Sequence, residues 1–513
     1  MASYKSCAHL KKNDEPPKMI LKDFSKTKRF TKRRPIMKRF KHKPNTSSSQ
    51  KISYNKNVDI QALNPNSAGI DIGSRSHFVA IPPDRNSEIV REFSSTTSGL
   101  IEMCDWLKQN NITTAAMEST GSYWIPVYEI LESRGIDVYL VNAKFIKNVP
   151  GRKTDVLDCQ WIQKLHSFGL LAKSFRPKDH CLKLRALCRQ HSSLIEHRSA
   201  HIQHMQKSLH EMNIQLATHI RDITGVTGMR IINAILNGER DVKAFAALVD
   251  SRCKNSAEKI AESLRGNYRE EHLFTLKQAR DLFCYYTESI RECEREIDKA
   301  LAELQIFSPI QAETKKEAVC VEEPKQSPKS PKQSKAVKGK NGKKSFDYPI
   351  TSYLEGFCGV NIIETPGIDQ STALKILAEL GGNVDSWKSA KRFSSWLGVC
   401  PGNKISGGLS LSGRTKPCKN RVAGLLRMAA NGLWNSHCYL GAFLRRMKSR
   451  LGGPKAITAT AHKLAIILYT MIKEKKSYIE LGEEYYEKNY QERRLKALKR
   501  QAKEMDLMLV PIA

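Results

Sequence analysis

"SAGIDIGSRSHFVAIPPDRNSEIVREFSS", residues 67–95, decides the fold class. Three short β-rich runs, SAGIDIGS, HFVAIPP and EIVREFSS, are separated by Gly, Pro, Asn and Ser, so the stretch predicts three consecutive strands. Downstream, TSGLIEMCDWLKQNN has a helical pattern, TTAAMEST reads as a strand, YWIPVYEILESRG as a helix closed by Gly135, and DVYLVN as another strand. Three strands followed by alternating helix and strand specify a mixed α/β sheet of the RNase H type.

Four carboxylates stand out in this region. Asp71 lies between Ile70 and Ile72 in the first strand, where a buried, unneutralised charge is costly. It either faces an open edge, caps the turn at Gly73, or meets a cation. Glu118 ends its strand in the same manner, apolar behind and polar ahead. In GRKTDVLDCQWIQKLHSFGLL, residues 151–171, Thr154 is placed to cap a helix. Asp155 and Asp158, at i and i+3, share one face of that helix. Acidic residues in a first turn also favour the helix dipole without any ligand. Beside them, Arg152 and Lys153 are suited to attract phosphate. Four carboxylates suit two Mg²⁺ ions roughly 3.5 to 4 Å apart, acting on the attacking and leaving oxygens of a phosphodiester.

The rest of the chain divides by composition. Residues 1–60 are a cation-rich arm without apolar period, predicted to be disordered, either a solubilising tail or a screen for phosphate. The α/β domain occupies 61–178. Residues 179–307 read as helical or coiled-coil, with Leu184, Leu187, Leu194, Ile195, Ile202, Met205 and Leu209 forming one apolar seam. A Lys-, Pro- and Ser-rich linker spans 308–347. A mainly α domain follows at 348–480 and a basic C-terminal helix at 481–513. In IIETPGIDQSTALKILAELGG, a Pro-Gly turn precedes a helix carrying Ala373, Leu374, Leu377 and Leu380, with the spacing of a helix-hairpin-helix-like element or of a plain helical turn. A Gly- and Ser-rich loop, "CPGNKISGGLSLSG", then leads into a cationic helix. Lys404, Arg414, Lys416, Lys419 and Arg421 are its candidate phosphate contacts.

The bulk numbers select the partner. A chain of 513 residues, 40% hydrophobic, can bury at least two cores of ordinary size. A net charge of +33 and pI near 9.6 point to a polyanion, with double-stranded DNA foremost. The 13 cysteines include no C-x-x-C pair, which disfavours a zinc ribbon or redox centre, and their odd number disfavours a disulfide framework; a reducing cytoplasm is expected. No run of about eighteen apolar residues and no signal-peptide pattern occurs, so no membrane partner is expected.

The chain resembles insertion-sequence transposases of the IS-one-ten type, the DEDD recombinases that work with a bridge RNA. The resemblance covers about 67–171 and 361–469 and rests on GIDIG with Asp71, MESTGSYW with Glu118, GRKTDVLDCQWI with Asp155 and Asp158, ETPGID, and GVCPGNKISGG. It implies a RuvC-like domain joined by a coiled coil to a transposase domain whose serine attacks DNA. That serine falls on Ser406 in KISGG, with Ser410 and Ser412 nearby. Also implied are Mg²⁺ held by Asp71, Glu118, Asp155 and Asp158, a guide RNA, a homo-oligomer (dimer or tetramer), and a prokaryotic, nucleoid-associated, cytoplasmic setting. The arm at 1–60 and the linker at 308–347 look like additions to the family plan. Three rival readings are a RuvC-class nuclease using metal-activated water, a sugar-kinase or actin-like ATPase suggested by DIGS, and a nucleic-acid packaging protein. The ATPase leaves the net charge and the Asp155/Asp158 pair unexplained, and packaging leaves the strand-end carboxylates without a purpose.

Overall fold

The computed structural model describes residues 61–119, 121–146, 154–306, 350–508 and 510. The basic segment 1–60, the segment 308–347 and the pair Arg152 and Lys153 lie outside the described residues.

The three opening runs form β1 (Ser67–Ile72), β2 (Ser76–Ala80) and β3 (Val90–Ser94). β1 pairs antiparallel with β2, placing Asp71 opposite Phe78, and β2 pairs antiparallel with β3, placing His77 opposite Phe93. Helix α1 (Thr97–Gln109) starts at Thr96, whose hydroxyl accepts from the Gly99 N–H. Then come β4 (Thr114–Glu118), α2 (Trp124–Ser133), β5 (Asp137–Val141), the short α3 (Ala143–Ile146) and α4 (Asp155–Ser167). Gly135, at φ +82°, follows the end of α2 as expected. The five strands make one sheet in the order β3-β2-β1-β4-β5.

The chain divides into two compact units. The first comprises residues up to 116, 129–137 and 151–170. Its core is apolar, with Ile70, Val79, Leu100, Met103, Leu107 and Ile162 fully buried. Helix α4 lies directly on β1 at Gly69. A Cβ there would sit 2.2 Å from the Gln163 nitrogen and 2.3 Å from the Cys159 carbonyl oxygen, so only glycine permits this approach. The helix is also pinned at both ends. Thr154 accepts from the Leu157 N–H at its start. At its end the Asn64 amide donates to the His166 carbonyl at 2.8 Å, and the Asn64 N–H to the Ser167 carbonyl at 2.9 Å. The His166 ring is buried, with Nε2 2.9 Å from Thr114 Oγ1. Thr114 donates its own proton to the Asp137 carbonyl, which leaves the hydroxyl oxygen to accept from the ring. Burial pulls the His166 pKa down to about 4, against the opposing charge of Asp137.

The second unit contains residues 117–128 and 138–150 and everything from 171 onward. Two long helices, α5 (Asp179–Glu211) and α10 (Glu270–Ile306), pack along each other. Of the predicted seam, Leu184, Leu194, Met205 and Leu209 are buried and Leu187, Ile195 and Ile202 half-buried; Ile290, Ile297, Leu301 and Leu304 of α10 are buried as well. The seam is therefore filled from within the chain. Between these helices, α6 (Leu216–His219), α7 (Val226–Leu236), α8 (Val242–Ala247) and α9 (Ala257–Glu262) close a separate small core around Ile231, Ile232, Phe245 and Ile260.

The C-terminal part holds α11 (Ile350–Cys358), a 3₁₀ turn (Ile362–Glu364), α12 (Gln370–Leu380), α13 (Ala390–Trp396), β6 (Lys404–Ser406), β7 (Leu409–Ser412), α14 (Arg421–Asn431), α15 (Tyr439–Leu451), α16 (Gly453–Glu474) and α17 (Gly482–Glu504). The predicted positions of α12, Ala373, Leu374, Leu377 and Leu380, are buried, but so are Ile376, Ala378 and Glu379, so this is a core helix, enclosed on most sides. Gly367 (φ +84°) in the Pro-Gly turn lets the chain pass Ala429, whose carbonyl oxygen lies 2.6 Å from where a Cβ would be. The Gly- and Ser-rich loop differs from expectation: it is a hairpin of β6 and β7. Its Gly407-Gly408 turn has φ of +54° and +76°, the two-residue connection whose twist matches paired strands.

Two outcomes follow from the seating of α4. Gly69→Ala forces the strand and helix apart and lowers stability by about 1–3 kcal/mol, read as a shift in the urea midpoint. His166 makes stability pH-dependent. Its folded pKa lies below the ordinary 6.5, so the unfolded chain takes up the proton first as pH falls. Stability is complete above pH 6.5 and declines by roughly 3 kcal/mol toward pH 4, with no further loss from this group below that. In His166→Gln the midpoint-against-pH curve loses this component.

Candidate active site

The four carboxylates occupy element ends. Asp71 is the penultimate residue of β1 and Glu118 the last of β4, both half-buried. Asp155 opens α4 and is exposed, whereas Asp158, one turn on, is half-buried. Thr154 is in extended conformation and caps the helix, which fixes where both aspartates begin their turn.

Cys159 reports on this geometry. Its buried thiol is pushed up to about 12, first by burial and then by the negative charges of Asp71 and Asp158 acting against backbone hydrogen bonding. Cys159 is also the residue whose carbonyl meets Gly69 across the strand–helix contact. Among the described residues, no group of three or more His, Cys, Asp or Glu side chains closes around a point that could hold a metal ion. Cys159 itself lies within electrostatic reach of both Asp71 and Asp158. As hard oxygen donors the carboxylates fit the chemistry of a divalent cation such as Mg²⁺.

Ser406 is the last residue of β6 and is exposed, held at the mouth of the Gly407-Gly408 turn and paired with Leu409. Ser410 pairs with Ile405 along the backbone; Ser412 is half-buried, and its hydroxyl accepts from the Arg414 N–H at 3.2 Å. The Gly402 N–H donates to the Arg414 carbonyl at 3.2 Å and ties the base of the hairpin. Lys404, Arg414, Lys416 and Lys419 are exposed around it.

Arg421 heads α14 with its Nε 4.0 Å from a carboxylate oxygen of Glu379. The same carboxylate accepts from Arg185 Nε at 2.8 Å and from Arg189 Nε and Nη2 at 2.7 and 2.8 Å. Burial opposes ionisation of Glu379, but the hydrogen bonds and charges of Arg189 and Arg185 outweigh it and hold its pKa below the ordinary value. Sequence reasoning missed this cluster. The one available signal was Arg185 and Arg189 at i and i+4 on α5.

No helix among the described residues is long and apolar enough to cross a membrane. Residues 68–214 match the family model of the DEDD transposases of IS110 type, described as "Transposase". Residues 360–437 match a second model, described as "Transposase IS116/IS110/IS902 family". No curated protein matches the chain. The first match contains all four carboxylates and the Gly69 contact, and the second contains the hairpin with Ser406. The two matches fall in this order on one chain and identify residues 68–214 and 360–437 as regions of IS110-type transposase.

Proposed function

We propose that this protein cuts and rejoins DNA strands as the recombinase of an insertion sequence, with Ser406 as nucleophile and Asp71, Glu118, Asp155 and Asp158 as the carboxylate set. The observation that supports the reading is the position of Asp71 and Glu118 at the ends of β1 and β4 and of Asp155 and Asp158 in the first turn of α4, in a chain of net charge +33. These carboxylates would hold Mg²⁺, which would supply electrostatic stabilisation at the phosphate.

The protein's own groups act as follows. Exposed Lys404, Arg414, Lys416 and Lys419 hold the DNA backbone at the hairpin, with Arg152 and Lys153 beside the acidic pair. Ser406 Oγ forms a bond to phosphorus as its proton passes to solvent, and the phosphorus bond to the neighbouring nucleotide oxygen breaks, that oxygen taking up a proton. Rejoining reverses the step with the hydroxyl of another strand end. The Gly-flanked turn allows the close approach to phosphate that this chemistry needs. A structured bridge RNA selects the DNA, and a homo-oligomer, dimer or tetramer, supplies carboxylates and serine to each exchanged strand, in a prokaryotic, nucleoid-associated cytoplasmic setting.

Strand cleavage in Mg²⁺ tests the assignment. Asp71→Asn, Glu118→Gln, Asp155→Asn and Asp158→Asn each abolish cleavage and leave DNA affinity nearly unchanged, since phosphate is held elsewhere; full activity in any two of them contradicts the carboxylate set. Ser406→Ala also abolishes cleavage, whereas a nuclease using water retains it. DNA affinity itself falls on the order of 10³-fold between about 50 and 200 mM salt as counterions are released, and removal of residues 1–60 flattens that slope.

A further inference from the structure

The hairpin of β6 and β7 carries more than a serine. It exposes three large apolar side chains, Ile405 at 67%, Leu409 at 72% and Leu411 at 66%, on a two-stranded ribbon. A ribbon of this kind is marginal by itself and its exposed apolar side chains are a liability in water unless something covers them. The register distributes them over both faces. Leu409 pairs with Ser406 and so shares its face, Ile405 lies on the opposite face, and Leu411 is the extra residue of a bulge between the Lys404 and Ile405 pairs.

What covers these side chains is indicated by charge. The stretch 386–473 contains 16 Lys and Arg residues and not one Asp or Glu. Lys404, Arg414, Lys416 and Lys419 ring the hairpin and are exposed. An apolar tip on a cationic, acid-free base suits a polyanion with an apolar interior, which is the description of stacked bases inside a phosphate backbone. DNA-binding proteins also place β-strands in either groove of the duplex, the minor groove included.

We propose that the hairpin is a DNA wedge: Ile405, Leu409 and Leu411 enter the minor groove and part a base step, while the surrounding cations hold the flanking phosphates. Apolar side chains are used in this manner by proteins that kink duplexes, and the cost is lowest at flexible pyrimidine–purine steps. Because Ser406 shares a face with Leu409, the opened step presents its phosphates beside the serine. The proposal rests on the reading of the chain as a DNA-acting transposase, and stands whether or not Ser406 is the nucleophile.

The experiment uses the full chain and an alternating TA duplex containing 2-aminopurine, whose fluorescence rises when it is unstacked. Wild-type protein is expected to raise the fluorescence on binding. The triple variant Ile405→Ser, Leu409→Ser, Leu411→Ser is expected to lose the rise and to bind on the order of tenfold more weakly, with an unchanged dependence of affinity on salt, because no phosphate contact is removed. Lys416→Ala with Lys419→Ala is expected to do the reverse, flattening the salt dependence while keeping the rise at saturation. The hairpin contributes none of the core, so the triple variant should keep its native circular dichroism. An unchanged fluorescence rise and affinity in the triple variant overturns the wedge. So does a changed sedimentation state with DNA binding intact, which assigns the face to contacts between copies, and so does a rise with duplex RNA but none with DNA. Loss of cleavage in Ser406→Ala bears on the nucleophile alone and leaves these readings unaffected.

Discussion

The contact of Gly69 with the backbone of α4 is the constraint on which the acidic site depends. A side chain of any size at that position would collide with Cys159 and Gln163. With glycine there, strand and helix touch backbone to backbone. Asp71 stands two residues beyond Gly69 on the strand and Asp158 immediately before Cys159 on the helix. Cys159 is thereby held within electrostatic reach of two acids far apart in sequence. The cap at Thr154 and the Asn64 bonds at the far end keep the helix from sliding along the strand.

Cations are concentrated late in the chain, where residues 386–473 carry 16 Lys and Arg and no Asp or Glu. In the first matched region Asp71 and Glu118 stand at the ends of β1 and β4, and Asp155 and Asp158 in the first turn of α4. Glu379, a buried acid ahead of the cationic stretch, is consumed by Arg185 and Arg189. That cluster ties α5 to α12 and leaves the hairpin cations exposed.

Much of this was legible in the sequence because it is local. Short apolar runs between turn residues located the strands, Thr154 ahead of Asp155 located the start of α4, and the seam of α5 was visible in its spacing. The illegible parts are those that depend on distant residues. That Gly69 faces a helix backbone about ninety positions later cannot be read from its neighbours, nor can the partner of Arg189, which lies 190 positions away. The small core around Phe245 was absorbed into one long helical region, because its helices are too short for periodicity to separate them. The hairpin was read as a loop because Gly and Ser signal turns and loops alike. What distinguishes them is the pairing of Ser406 with Leu409 across two glycines with positive φ.

The central claim is that a serine of the exposed hairpin becomes bonded to DNA under the direction of the carboxylate site. The most direct measurement is mass spectrometry of peptides from protein trapped on a nicked DNA substrate in the presence of Mg²⁺. The account predicts a nucleotide adduct on Ser406, present in the wild type and absent in Asp71→Asn. Strand cleavage that proceeds with no adduct on Ser406, Ser410 or Ser412 would contradict it.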